Sequence, residues 1–286
     1  MNLFDIFKSH AKFKNTNIGI GLGDSKEQNS KIFETSLLFL EEFKSTVFLF
    51  GNEKAVDAIK KHKNFKHDLI GIEIVISKNP EEEIINFLGN QMINAIVRGA
   101  LSSHHFLEAL KNYLDIRNLN RLALLETFNG YQFFYGPVGI DECNSIESKI
   151  SFLKQAKQLL ESLNIVPKIS ILSGGRLGDL GRDAKVDNSI NIAKEVVEFL
   201  KKQYSDLQIN HDEILIENAV EKKSNIIIAP DGISGNLIYR TLVHLGGGNA
   251  YGAIYMGLDD VIIDTSRVGK SSEIKGALVL ALALTK

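Results

Sequence analysis

The chain has one cysteine, four prolines and no apolar run long enough to span a bilayer, in 286 residues. Cys143 alone excludes an intrachain disulfide and any multi-cysteine metal cluster, and it fits a reducing, cytoplasmic setting. The most apolar stretch, 276–284, is too short for a membrane span and reads as a buried C-terminal helix. Segment 1–15 reads as an amphipathic helix interrupted by charges, without the apolar core of a signal peptide. No charge of one sign dominates: the net charge is −2 and the pI about 6.4. There is therefore no electrostatic footprint for nucleic acid or an anionic membrane. HExxH, GxSxG and GxxxxGK[ST] are all missing, which argues against a zincin, a nucleophile-elbow hydrolase or a P-loop ATPase. The pairs His104/His105 and His62/His67 lack ligand-like spacing to a carboxylate.

What is present is the composition of an ordinary globular protein, 44% hydrophobic and 24% charged. A chain of this length buries roughly three quarters of its unfolded surface, enough for two lobes. Short β-rich runs at 17–22, 47–50, 69–76 and 94–97 alternate with helical periodicity at 30–43, 53–63, a segment opened by Pro80, and 102–114. That alternation predicts βαβ units and a mostly parallel sheet. Two runs around Phe128-Asn129-Gly130, 121–127 and 131–135, predict a hairpin and the start of a second lobe. The α/β rhythm then resumes: a helix at 146–163, a strand at 168–172, a glycine- and arginine-rich loop, and a helix at 186–204. A short strand is expected at 214–217, before the buried run of Ile226 to Ala229.

Four segments carry candidate chemistry. Gly19-x-Gly21-x-Gly23-Asp24 ends the first strand, where glycines can admit a phosphate; Asp24 spoils the dinucleotide spacing, and a plain βα turn is the alternative. Ser173-Gly174-Gly175-Arg176, with Arg182 beyond, can wrap an anion through charge-assisted bonds or be an ordinary surface loop. Pro230-Asp231-x-x-Ser234-Gly235-Asn236 precedes a helix expected to begin near Gly235, with Ser234 as a cap and Asp231 as a turn former. Asp264-Thr265-Ser266-Arg267 ends a strand and precedes a helix beginning near Ser271, whose first turn holds Glu273. Polar clusters at strand exits suit a site in an open α/β sheet.

Taken together, these clusters resemble the phosphate acetyltransferase/butyryltransferase family. The resemblance rests on Pro230-Asp231-x-x-x-Gly235-Asn236-x-x-Tyr239-Arg240, then Leu245-Gly246-Gly247, Tyr251-Gly252, Gly257-Leu258 and Asp264-x-Ser266-Arg267. Within it the chain is most similar to an archaeal branch, the methanogenesis marker protein 4 or methyltransferase-associated subunit X type. The resemblance implies two three-layer α/β lobes with mostly parallel sheets and an interlobe cleft, isopropylmalate dehydrogenase-like. The lobes would be 1–112 plus 257–286, and 113–256, in a homodimer. It implies acyl transfer between coenzyme A and phosphate, with coenzyme A as co-substrate and no tightly bound cofactor or metal. By the same resemblance Ser266 is a hydroxyl donor and Arg267 a phosphate clamp. Glu273 stands where the family carries a catalytic aspartate, while Asp231, Asn236, Ser173, Arg176 and Arg98 line the substrate site.

Several positions depart from that pattern. Ser173 to Asp179 replaces a hydroxyl-rich loop with opposite charges, 135–139 replaces an acidic-to-asparagine segment, and Arg98 stands where a small or hydroxylic residue is usual. The substrate is therefore expected to be a small anion other than simple acetyl phosphate. A methyltransferase-complex partner, with the fold kept as a ligand-binding module, is the alternative. A nicotinamide-dependent enzyme, suggested by Gly19 to Asp24, is a third reading.

Overall fold

A computed structural model describes residues 2–66 and 69–286; His67 lies outside the described residues. The chain divides into two compact units: one runs through Asn118 and takes in Ala250–Lys286, the other is Leu119–Asn249. In order, the elements of the first unit are α1 (Leu3–Ala11), β1 (Asn17–Gly21), α2 (Lys26–Glu42), β2 (Thr46–Gly51), α3 (Glu53–Lys60) and β3 (Ile72–Ile76). They continue with α4 (Pro80–Gly89), β4 (Ala95–Val97) and α5 (Ser103–Leu114). The second unit contains β5 (Asn120–Glu126), β6 (Gln132–Gly136), α6 (Ile146–Ser162), β7 (Lys168–Ile171) and α7 (Ala184–Gln203). It ends with β8 (Gln208–His211), α8 (Ile216–Glu221), β9 (Ile226–Ile228) and α9 (Gly232–Arg240). The chain returns to the first unit with β10 (Asn249–Met256), β11 (Val261–Asp264) and α10 (Ser271–Leu284).

Strands of the first unit lie in the order β3-β2-β1-β4-β11-β10. All neighbours are parallel except β10, which runs antiparallel to β11. Ile18 and Ile20 of β1 are fully buried. The intervening glycines are packing glycines: a Cβ on Gly19 would lie 2.6 Å from Ile93 Cδ1, and one on Gly21 2.1 Å from Leu101 Cγ. The Gly23 backbone is likewise occupied, since its N–H donates to Asn29 Oδ1 and its carbonyl accepts from Asn29 Nδ2, each at 2.8 Å. The first glycine cluster is therefore a tight βα turn, and α2 begins at Lys26 rather than near residue 30 because Ser25 caps the Gln28 amide.

From Gly276 to Ala283 α10 is apolar on every face and buried, as a helix segment surrounded by core must be. Its last carbonyl groups are held by Lys14, whose Nζ donates to Ala283 O at 2.8 Å and also to Thr285 O, a basic cap of the expected polarity. Phe4 of α1 stacks on Tyr251 with ring centroids 4.3 Å apart. No helix among the described residues is long and apolar enough to cross a membrane.

In the second unit the order is β5-β6-β9-β7-β8, antiparallel only between β5 and β6. The hairpin turns through Gly130 at φ +79°, with the Thr127 N–H donating to Tyr131 O at 2.9 Å. Ser145 and Ser148 form a reciprocal capping box for α6.

Two local expectations are corrected, and one strand was not expected. The strand expected at 214–217 is Gln208–His211, and Ile216–Glu221 is helical. Glu213, at φ +58°, breaks the extended run, while buried Asp212 turns inward to accept from Ser170 Oγ at 2.5 Å and from Lys222. Second, β10 had no sequence expectation as a strand; it pairs Ala253 with Asp264 and Ile254 with Ile263. That pairing accompanies the assignment of residues from Ala250 onward to the first compact unit. Third, α9 starts three residues early, at Gly232, because Asp231 rather than Ser234 is the cap.

Candidate functional site

β4 and β11 are adjacent parallel strands, registered Ala95 to Val261, Ile96 to Ile262 and Val97 to Ile263. Their carboxyl ends deliver Arg98 and Asp264 to the same edge of the sheet, where open α/β sheets bind ligands. Arg98 is 5% exposed. Its Nε bonds Asp264 Oδ1, its Nη1 donates to Leu101 O at 2.7 Å, and its Nη2 donates to Thr265 O. A guanidinium engaged in this way fixes the loop and has its donors committed within the protein. Arg98, expected in the substrate site, is thus placed as a buried buttress against Asp264, Leu101 and Thr265.

Beyond Asp264 every turn of the backbone is pinned. Thr265 Oγ1 donates to Gly99 O at 3.0 Å, and the Thr265 N–H donates to Asp264 Oδ1 at 3.0 Å. The Gly269 N–H donates to Ser266 O at 3.0 Å, closing a four-residue turn with Arg267 and Val268 at its tip. Glu273, 2% exposed, accepts the Ser266 N–H on Oε1 at 2.6 Å, so the acid in the first turn of α10 anchors the loop that precedes it. Gly269 lets the two approach: a Cβ there would sit 2.8 Å from Glu273 Oε2 and press on the carboxylate. Ser266 Oγ accepts the Val268 N–H at 3.3 Å, and Arg267 is exposed. A pinned turn thus presents a hydroxyl and a guanidinium, the pair needed to neutralise and hydrogen-bond an anionic oxygen.

The second unit holds the other expected residues. Asp231 caps α9 by accepting the Ser234 N–H on Oδ1 at 2.8 Å, and the Asp231 N–H donates back to Ser234 Oγ at 3.3 Å. Asn236 Nδ2 donates to Val138 O at 2.8 Å. Gly232 and Gly235 let this loop lie against the preceding chain; their Cβ atoms would approach Gly139 O to 1.9 Å and Pro137 O to 2.0 Å. Asp231 and Asn236 therefore shape the frame around the loop. Replacing Asp231 by Ala should cost about 1 kcal/mol of stability, the usual value of a helix cap, measurable by urea unfolding.

Beneath this loop sits a buried polar group that sequence reasoning missed. Lys149, 3% exposed, donates from Nζ to Pro230 O. Its signal was readable: Lys149 occupies the same helical face as Phe152, Leu153, Ala156 and Leu160, all buried. Burial lowers its pKa, while Cys143 and Asp231 act in the opposite sense. The Cys143 thiol is pushed up to about 12 by burial, so it is a protonated core residue and not a nucleophile. Burial also raises Tyr135, with the negative charge of Asp231 adding to it.

Ser173, expected in the substrate site, is likewise engaged inside the protein. It is fully buried, its Oγ donates to Gly175 O at 2.8 Å, and His211 Nε2 lies 2.8 Å away. With the serine proton committed to the carbonyl, His211 must supply the N–H to Oγ; burial lowers the His211 pKa. The opposite charges of the loop satisfy one another: Asp179 accepts the Arg176 N–H at 2.9 Å and pairs with Arg182 at 3.3 Å. Of the two arginines in this segment, both exposed, Arg182 is paired with Asp179 and the Arg176 side chain stands in solvent where an anion could meet it. Among the histidines, His62 faces Glu34 at 3.2 Å, and the rings of His104 and His105 lie 5.5 Å apart.

A mostly parallel α/β sheet with a serine–arginine turn at adjacent strand ends defines a protein built on the phosphotransacylase type of fold. The family model for phosphate acetyl/butaryl transferase matches residues 94–282, and the chain belongs to that family. It is 37% identical over 285 residues to the "Putative methyltransferase mtx subunit X" of Methanosarcina mazei, covering 99% of this chain and 95% of that protein. A phosphate acetyltransferase of Borreliella burgdorferi is 29% identical over 171 residues, 54% of this chain and 47% of that one. The crystal structure of a phosphotransacetylase from Streptococcus pyogenes superposes with a TM-score of 0.73 at 16% identity, covering 99% of this chain and 98% of that one.

Proposed function

We propose that this protein is an archaeal, cytoplasmic phosphotransacylase-like transferase. It would move an acyl group between coenzyme A and phosphate or a related anion. The observation carrying this reading is the pinned turn that offers Ser266 and Arg267 to solvent while Glu273 holds the serine amide. In the proposed reaction the coenzyme A thiolate attacks the acyl carbon of an acyl phosphate, a C–S bond forms, and the C–O bond to phosphate breaks. Phosphate leaves with the electron pair, clamped by Arg267, while the Ser266 hydroxyl donates to developing negative charge. A free thiol has a pKa of about 8.5, so only a few per cent is ionised at neutral pH, and a carboxylate base would raise the rate by roughly 10²–10⁴.

Glu273 is the candidate base, in addition to holding the turn. Glu273→Gln separates the two roles, because the amide oxygen still accepts the Ser266 N–H but no longer takes a proton. Thioester formation from an acyl phosphate and coenzyme A, the direction in which the thiol is deprotonated, is the assay. If Glu273 is the base, kcat falls by roughly 10²-fold or more and the acid limb of the pH profile disappears. Unchanged turnover in this variant removes Glu273 from the chemistry. No turnover by the wild type across a broad acyl panel sinks the reading as a whole.

A second reading is supported by the full-length similarity to the mtx subunit X protein: a subunit of a methyltransferase complex that retains the fold as a ligand-binding module. The self-paired charges around Asp179 suit a loop that no longer serves acyl transfer. Affinity capture from native lysate under gentle conditions should then recover a methyltransferase subunit in fixed proportion; recovery of the homodimer alone counts against it.

A further inference from the structure

The turn that presents Arg267 has two anchors, and only one of them comes from the motif that carries it. Glu273 holds the Ser266 end. The Gly269 end is held from α2, where Gln28 Nε2 donates to Gly269 O at 3.1 Å. Gln28 is 5% exposed, a polar side chain on the buried face of α2 that also includes Ile32, Thr35 and Phe39. Its amide orientation is fixed from the other side, since Lys31 Nζ donates to Gln28 Oε1 at 3.2 Å. The carbonyl it satisfies belongs to the residue whose N–H closes the turn on Ser266 O. A buried amide left without its partner keeps its full desolvation penalty, so the contact is unfavourable to break.

We infer that Gln28 is a positioning residue for Arg267, and that Lys31 acts one step further back by orienting the Gln28 amide. The consequence for anion binding rests on the transferase reading above; the mechanical consequence for the turn does not. Losing the contact frees one side of the turn while Glu273 keeps the other, so the Arg267 tip swings about the Ser266 end. A misplacement near 1 Å is enough to cost about 10²-fold in a positioned reaction.

The test uses Gln28→Met, which keeps length and apolar bulk but donates nothing. Two readouts are taken on the full chain. The first is the rate at which trypsin cuts the native protein after Arg267, identified by mass spectrometry. It should rise roughly tenfold in Gln28→Met and less in Lys31→Met, which stands in if the first variant fails to fold. The second is calorimetric binding of inorganic phosphate to wild type, Gln28→Met, Arg267→Ala and the double variant. Gln28→Met should weaken binding about tenfold, with no further loss once Arg267 is gone; a purely structural role would give additive losses. Faster cutting with no phosphate binding by the wild type supports the positioning role and rejects the transferase reading. Unchanged cutting at Arg267 in both variants overturns the inference.

Discussion

Arg267→Ala should lower phosphate-dependent acyl transfer by roughly 10²–10³-fold and leave the thermal midpoint where it is. The size follows from removing a preorganised cationic donor from developing charge. The lack of a stability effect follows from placement: Arg267 is exposed at the tip of its turn, whereas the bonds that close the turn come from the Ser266, Gly269 and Glu273 groups. Lysine at the same position should recover only part of the loss, because a point charge cannot reproduce a bidentate fork on phosphate. Steady-state arsenolysis and a thermal melt on the same preparations check both halves. A melting transition displaced along with the activity would mean that the side chain supports the fold.

Arg98→Met should have the opposite profile, a large loss of stability. The guanidinium bonds the buried Asp264 carboxylate and two backbone carbonyl oxygens. Removing one partner of a buried pair leaves the other charge without compensation, at a cost of about 3–5 kcal/mol. For a unit of this size that lowers the midpoint by roughly 10 °C. Asp264→Asn introduced with Arg98→Met should recover a good part of the loss, because no buried charge is then left alone. If the single variant melts with the wild type, the pair does not support the loop and Arg98 is available for a ligand after all.

The two predictions separate arginines that the sequence treats alike. Arg98 and Arg267 both follow β-rich runs, and both were read as anion-binding. Which arginine is spent inside the protein depends on what lies beside each strand end. β4 is flanked by β11, so Arg98 meets Asp264, a residue 166 positions away along the chain. No local pattern encodes that meeting. Ser173 is engaged in the same way: its partner His211 comes from the next strand over.

Much was legible without coordinates. Alternating β-rich runs and helical periodicity dictated the α/β class, since each run can bury its apolar residues only in a sheet covered by helices. Pro230-Asp231 and Asp264 to Arg267 marked strand exits because turn formers and charges cannot continue a buried strand. The all-apolar 276–284 segment could only be core. The tertiary structure decided the rest. It made Gly19 and Gly21 packing glycines by bringing Ile93 and Leu101 against them. It assigned β10 to the first unit by pairing it with β11, and it tied Ser266 to Glu273 and Gly269 to Gln28. The physical reason is the same throughout: periodicity and turn chemistry act over a few residues, whereas a buried polar group is assigned by whichever distant partner satisfies its hydrogen bonds.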